Sequence, residues 1–174
     1  MSKLIYRFNN QKTQSSFNSK IILGGKGANL AQMAQLGLPV PPGFTITTKV
    51  CEDFYKNNKK IPKKLFQQVK KEIKIIEKIS KKKFGDLLNP LLLSVRSGSR
   101  VSMPGMMDTI LNLGLNDKTV IALKNKTFNG RFAKDSYRRL IQMFGAVVFG
   151  IKSHFFEELI ENYKLTKGVI QDTE

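Results

Sequence analysis

Residues 91–113 constrain the fold most, because they join an apolar run, a Gly/Ser loop and a second apolar alternation. Residues 91–95 predict a buried strand that ends at Arg96, and a second strand is predicted from Ile110. Arg96 and the following Gly98 suit anion binding, because a guanidinium is a fixed fork of donors and glycine lets backbone N–H groups approach closely. An ordinary strand–turn–strand with a solvated arginine fits the spacing equally well.

A second glycine cluster, Gly-Gly-Lys-Gly at residues 24–27, precedes a run with helical periodicity. The pattern predicts a short strand over residues 21–23, a turn, and a helix over residues 28–36. Lys26 beside a helix start is suited to a phosphate group, because the first N–H groups of a helix point outward. The spacing matches neither a Walker A motif nor a dinucleotide fingerprint. A tight strand-to-helix turn with an exposed lysine is therefore the alternative.

Alternating apolar residues predict two further strands in the first half of the chain. One is an edge strand over residues 4–8, and the other spans residues 43–47 with Phe44 and Ile46 facing inward. A helix should follow, capped by Thr48 and carrying Glu52 and Asp53 in its first turn. Residues 65–79 then repeat apolar side chains at helical spacing, which leaves the lysines of that segment on solvated faces.

After residue 116 the apolar pattern changes to helical periods only. Helices are predicted over residues 119–124, 132–144 and 153–163, while residues 164–174 are polar and predicted to be unstructured. We therefore predict an α+β chain with two parts. Residues 1–116 form a mixed α/β lobe that carries the anion-binding loops, and residues 117–174 form a small all-helical subdomain.

The net charge of +17 over 174 residues raises the question of nucleic-acid binding. Residues 49–83 hold 13 lysines and four acidic residues but no arginine, and they contain few aromatic residues. Lysine alone supports only non-specific, salt-sensitive contacts with phosphates, so we interpret these lysines as solvated faces and disfavour a nucleic-acid partner. A basic polyanion-binding module is kept as an alternative function.

The rarer residues exclude several classes of site. One cysteine and one histidine allow neither an internal disulfide nor a Cys/His metal cage, so no metal site is predicted. Cys51 is interpreted as inert because the sequence around it supplies little to activate a thiolate. No signal peptide and no apolar run of membrane-spanning length is recognised, so the interpretation is a cytoplasmic protein without a membrane partner.

Taken together, four motifs resemble the N-terminal nucleotide-binding region of the pyruvate, phosphate dikinase family. They are Gly-Gly-Lys-Gly-Ala-Asn-Leu at residues 24–30, Leu-Pro-Val-Pro-Pro-Gly-Phe-Thr-Ile-Thr-Thr at residues 38–48, residues 93–115, and residues 131–139. The Met-Met-Asp-Thr-Ile-Leu-Asn-Leu-Gly-Leu run at residues 106–115 favours the dikinase over phosphoenolpyruvate synthase. Lys134 departs from the family, which usually has an aromatic residue there.

The resemblance implies an ATP-grasp-like fold that holds Mg–ATP and pyrophosphorylates a histidine on a separate domain, with phosphate and then pyruvate as later acceptors. By motif position, Lys26, Arg96 and Arg139 match family residues that contact the ATP phosphates. The loop over residues 98–108 would face the triphosphate. The candidate residues that would face the triphosphate are four residues of this loop and the threonine that follows it: Gly98, Ser102, Gly105, Asp108 and Thr109.

The resemblance also implies metal ligands, an acceptor histidine and a substrate-binding domain that correspond to no residue of this chain. In the family, the acidic Mg²⁺ ligands, the acceptor histidine and the pyruvate-binding domain come after the position of Glu174. The expected ligand is therefore ATP with Mg²⁺, whose metal ligands lie outside this sequence. The chain is expected to be inactive alone, and a complementing C-terminal chain is an expected partner. A non-functional remnant is the remaining alternative.

Overall fold

The computed structural model describes residues 3–8, 19–98 and 108–169. This part of the chain contains four short strands and six helices, which confirms the predicted mixed α/β composition. The strands are β1 (Ile5–Arg7), β2 (Phe44–Ile46), β3 (Leu93–Arg96) and β4 (Thr109–Leu113). The helices are α1 (Ser19–Gln35), α2 (Thr48–Lys56), α3 (Lys63–Ser80), α4 (Thr119–Thr127), α5 (Gly130–Phe149) and α6 (Ser153–Lys167).

The chain divides into two compact units. Unit 1 comprises Met1–Leu91 with Arg96–Met107, and unit 2 comprises Leu92–Val95 with Asp108–Glu174. Strands β1 and β2 pair antiparallel in unit 1, with Ile5 opposite Ile46. Strands β3 and β4 form the second two-stranded sheet.

The core of unit 1 lies between the β1–β2 sheet and the apolar faces of α2 and α3. Ile5, Val50 and Leu65 are its buried residues, and Phe44 and Val69 pack against them. Helix α3 confirms the helix predicted for residues 65–79 and buries Leu65 and Ile76 of its apolar face, whereas Ile79 near its end is 57% exposed. The lysines of α3 are exposed, as their positions between the apolar residues predicted.

The strand predicted for residues 21–23 is wrong, because these residues form the first part of helix α1. Leu23 is buried with Ala28 and Ala31, so its buried apolar partners come from the other part of α1 rather than from a neighbouring strand. The predicted glycine turn reduces to a single residue, Gly24, whose φ of 70° and ψ of 168° interrupt the helix. Glycine adopts such a conformation without a steric penalty, so the helix resumes immediately after it.

Three details predicted for β2 and α2 are also wrong. Ile46 is 43% exposed rather than buried, because it is the last residue of β2 and only β1 neighbours that strand among the described residues. Thr47, not Thr48, occupies the N-cap position of α2, and the Thr48 hydroxyl instead donates to the carbonyl oxygen of Ile21 at 2.6 Å. Because α2 begins at Thr48, its first turn contains no acidic residue, so Glu52 and Asp53 lie further along.

The core of unit 2 lies between strand β4 and helices α4 and α5. Its buried residues are Ile110, Leu115 and Leu140, and Tyr137 and Phe144 pack against them. The prediction of a fully buried strand over residues 91–95 is wrong, because β3 begins at Leu93 and Val95 is 48% exposed. Among the described residues β3 has only β4 as a sheet neighbour, so little of its surface is covered.

The helical pattern after residue 116 is confirmed for α4, α5 and α6. The prediction that residues 164–167 are unstructured is wrong, because α6 continues to Lys167. The helix ends at Gly168, whose φ is positive at 65°. Glycine is the usual residue at such a helix end. None of the described helices is both long enough and apolar enough to cross a membrane.

Candidate phosphate-binding site

The position of Lys26 is set by the glycines that surround it. Gly24, Gly25 and Gly27 are buried, and Lys26 is half-buried at the start of the helical segment that follows the break in α1. A β-carbon at Gly27 would lie 2.7 Å from Thr45 Oγ1 and 2.8 Å from Thr45 Cγ2. Helix α1 therefore packs directly on strand β2 at this point, and only a glycine allows that approach.

The side chain of Lys26 reaches the end of strand β3. Its Nζ donates to the backbone carbonyl oxygen of Ser97 at 3.3 Å, across 71 positions of sequence. Ser97 lies between Arg96, the last residue of β3, and Gly98. Both motifs predicted to bind an anion are therefore brought to one place within unit 1.

The arrangement is cationic and open to solvent. Arg96, Ser97 and Gly98 are exposed, whereas Lys26 is partly covered. Within the residues that the structure describes, no carboxylate forms an ion pair with Lys26 or Arg96. Two positive groups near helix N–H groups attract an anion with several oxygens, because a guanidinium binds two oxygens and an ammonium acts as a point charge.

Arg139 lies on helix α5 in unit 2, where it is held by an acidic neighbour. The Nε of Arg139 donates to Asp135 Oδ2 at 2.7 Å, and its side chain is 63% exposed. Asp135 Oδ1 also accepts from Arg138 Nε at 3.0 Å and Nη2 at 2.7 Å, and Arg138 Nη1 donates to Gln142 Oε1 at 3.0 Å. One carboxylate thus orients two successive arginines.

Partial burial of Asp135 raises the pKa of its carboxyl group, but the hydrogen bonds and charges of Arg138 and Arg139 outweigh that effect and lower the pKa overall. A carboxylate with a lowered folded-state pKa stabilises the fold above its unfolded pKa, and that stabilisation is lost as pH falls through the folded value.

Asp135→Asn is accordingly expected to lower the melting temperature slightly at pH 7, because ion pairs this exposed contribute less than about 1 kcal/mol. The difference from wild type should shrink as pH falls through the lowered folded-state pKa, because the native carboxyl group then becomes protonated as well. Melting curves across this pH range check the prediction, with Glu157→Gln on α6 as the control. An effect of Asp135→Asn that stays constant as the pH is lowered would show that the ion pairs are not its cause.

The other predicted site residues are placed only in part. Gly98 is exposed after β3 in unit 1, while Asp108 is exposed and Thr109 half-buried at the start of β4 in unit 2. Ser102 and Gly105 lie outside the described residues. The structure therefore unites Lys26 with the residues around Arg96, and describes Arg139, Asp108 and Thr109 separately.

Two features of the site were missed by sequence reasoning. Asp135 precedes Arg138 and Arg139 by three and four positions, which is the spacing of facing side chains on a helix, so the signal was present in the sequence. The contact of Lys26 with the Ser97 carbonyl has no sequence signal, because any residue supplies a backbone oxygen. The described residues contain no group of three or more His, Cys, Asp or Glu that could hold a metal ion.

Comparison with known proteins identifies similar sequences. A family model described as "Pyruvate phosphate dikinase, AMP/ATP-binding domain" matches residues 20–81, which include Lys26. The pyruvate, phosphate dikinase of Rhizobium meliloti is 52% identical over 174 residues, covering 100% of this chain and 19% of the relative. That of Entamoeba histolytica is 54% identical over 156 residues, covering 90% of this chain and 18% of the relative.

A third relative, the pyruvate, phosphate dikinase of Clostridium symbiosum, is 49% identical over 174 residues, covering 100% of this chain and 20% of the relative. The chain therefore spans about one fifth of the length of the relatives that it matches. These similarities confirm the family resemblance inferred from the motifs. The family model ends at residue 81, but the alignment with the Rhizobium meliloti enzyme also covers the motifs within residues 93–139.

Proposed function

We propose that this chain binds the triphosphate of ATP through Lys26 and Arg96. The chain belongs to the pyruvate, phosphate dikinase family and corresponds to its N-terminal region. The single observation that carries the proposal is the hydrogen bond from Lys26 Nζ to the Ser97 carbonyl. This contact brings the glycine-rich start of a helix beside the arginine at the end of β3. Each motif alone was ambiguous, and their proximity favours an anion site over two unrelated turns.

The chemistry of the two side chains suits a triphosphate. Arg96 can hold two phosphate oxygens at once, and Lys26 adds a point charge beside the N–H groups of its helix. Phosphoryl transfer requires alignment and charge neutralisation more than covalent participation by the protein. Binding of ATP would replace the weak contact of Lys26 with a neutral carbonyl by contacts with charged oxygens.

Further parts of the proposal rest on the family resemblance. The fold is proposed to be the first part of an ATP-grasp-like domain over residues 1–116, followed by a helical insertion over residues 117–174. Arg139 is proposed to approach the phosphates from the insertion, with its Nε held by Asp135. The loop over residues 98–108 and Thr109 would face the triphosphate.

The proposed activity of the whole enzyme is transfer of phosphoryl groups from ATP to an enzyme histidine, then to phosphate and pyruvate. In this chain we assign no metal ligand and no acceptor histidine, so the described residues are proposed to bind ATP without completing the reaction. Mg²⁺ would neutralise charge on the bound phosphates through ligands supplied elsewhere. A complementing C-terminal polypeptide and a cytoplasmic location complete the proposal.

Binding of ATP to the isolated chain tests the proposal. Arg96→Ala and Lys26→Met are each expected to weaken ATP binding by about tenfold, because each removes a charge-assisted contact. Isothermal titration calorimetry with ATP, in Mg²⁺ and again in EDTA, measures the change, and inorganic triphosphate should reproduce most of it. Lys63→Met on the exposed face of α3 removes the same charge elsewhere in unit 1 and should bind ATP as the wild type does. Equal affinity of all four proteins would eliminate this site.

A further inference from the structure

Helix α6 has an apolar surface that the described structure leaves uncovered. No residue of α6 is buried, although the helix contains six large apolar or aromatic side chains. Phe155, Leu159 and Tyr163 follow one another at four-residue intervals and therefore lie along one side of the helix. They are 52%, 68% and 65% exposed. We call these three residues the α6 stripe.

The neighbouring side of α6 already has a partner. Phe156 and Ile160 are partly buried, and a β-carbon at Gly145 of α5 would lie 2.6 Å from Phe156 Cζ. Helix α6 is thus packed against α5 through one part of its apolar surface. The stripe lies beside this contact on the helix surface, so the apolar side of α6 extends beyond the part that packs against α5.

Nothing on α6 itself covers the stripe. His154 stacks on Phe155 with ring centroids 4.2 Å apart, and Lys167 Nζ lies 5.9 Å from the Tyr163 ring centroid. Both contacts come from the same helix and leave more than half of each aromatic residue exposed. Contiguous exposed apolar side chains on a helix are typical of a surface that packs against another polypeptide segment.

We propose that the α6 stripe is the docking surface for the polypeptide that makes up the rest of the pyruvate, phosphate dikinase relatives. The inference rests on the proposed family function. The alignment with the Rhizobium meliloti enzyme includes all of α6, yet about four-fifths of that enzyme lies outside the shared region. The partner is therefore expected to present apolar side chains to Phe155, Leu159 and Tyr163, which are more than half exposed. Because Glu158 borders the stripe away from α5, a basic or amide side chain suits the edge of the partner's apolar surface.

Reconstitution with the rest of a relative tests the docking surface directly. The isolated chain is mixed with the Rhizobium meliloti polypeptide that lacks the matching region, and the complex is measured by sedimentation velocity. Leu159→Lys is expected to weaken the complex at least about tenfold, because a charge in the middle of an apolar contact must be desolvated. Glu157→Gln changes the net charge by the same amount on the opposite side of α6 and should retain full affinity.

A chimera covers the case in which the two polypeptides do not fold separately. This chain replaces the matching region of the Rhizobium meliloti enzyme, and hydrogen exchange of the α6 amides is compared with that of the isolated chain. Slower exchange of α6 in the chimera, reversed by Leu159→Lys but not by Glu157→Gln, is the expected result. Equal exchange in both proteins would overturn the proposal. Self-association of the isolated chain that Leu159→Lys abolishes, with α6 unprotected in the chimera, would instead assign the stripe to a second copy.

The readouts are independent of nucleotide binding. A chain that binds ATP but leaves α6 unprotected in the chimera would overturn only the docking surface. Protection of α6 together with equal ATP affinity of wild type and Arg96→Ala would overturn only the phosphate site. The two proposals can therefore fail separately.

Discussion

Leu140→Ala is expected to lower the free energy of unfolding of unit 2 by about 2–5 kcal/mol, the usual cost of such a truncation in a packed core. Leu140 is 5% exposed and lies with Ile110 and Leu115 at the centre of the only buried apolar cluster described for unit 2. Its loss leaves a cavity between α5 and β4. Because Arg139 precedes it on α5 and Thr109 begins β4, the same cavity should loosen two proposed phosphate-binding residues.

Native-state hydrogen exchange of the α5 and β4 amides measures this effect within unit 2. It is preferred to a global unfolding curve because such a curve would combine the stabilities of both units. Ile141→Ala is the matched control, because the next residue of the same helix is 49% exposed and should cost less than about 1 kcal/mol. Equal losses for the two variants would mean that the cluster does not hold α5 against β4.

Gly27→Ala is expected to destabilise unit 1 by about 1–3 kcal/mol, even though alanine is the better helix former by about 1 kcal/mol. The added methyl group would meet Thr45 Oγ1 at 2.7 Å, Thr45 Cγ2 at 2.8 Å and Leu23 Cβ at 3.2 Å. Threonine is short and branched at Cβ, so it cannot swing its side chain away as a longer residue could. Helix α1 must therefore move away from β2.

That movement should also weaken ATP binding, since Lys26 is the neighbouring residue and its reach to the Ser97 carbonyl is already long at 3.3 Å. Chemical denaturation and ATP titration of the same variant test both consequences. Gly130→Ala is the control, because a β-carbon there would meet only the flexible stem of Lys124 at 3.4 Å or more. If Gly27→Ala is as stable as wild type and binds ATP as tightly, the close packing of α1 on β2 does not position Lys26.

The helices with long apolar repeats were predictable because their periodicity is a local property. The pattern of residues 65–79 defines one side of α3 without reference to any other segment, and the same holds for α5. Short apolar runs contain less information. Residues 21–23 fit a strand or a helix equally well, and their helical state depends on packing with Ala28 and Ala31 after the break at Gly24.

Exposure of a strand likewise cannot be inferred from its own residues. Residues 91–95 are apolar enough for a buried strand, but Val95 is 48% exposed because β3 has a single described sheet neighbour. The number of neighbours is a property of the assembled sheet. The same reasoning applies to α6, whose apolar residues were correctly predicted to be helical although most of them lie open to solvent.

The sequence by itself determined the residue types of the site, namely a lysine among glycines at a helix start and an arginine at a strand end, since these follow from local spacing. Only the tertiary structure decided that Lys26 and the end of β3 lie together, because that contact closes a loop of 71 positions and ends on a backbone oxygen that no sequence pattern marks. The site depends on the packing of α1 against β2, where Gly27 permits an approach that local periodicity does not reveal.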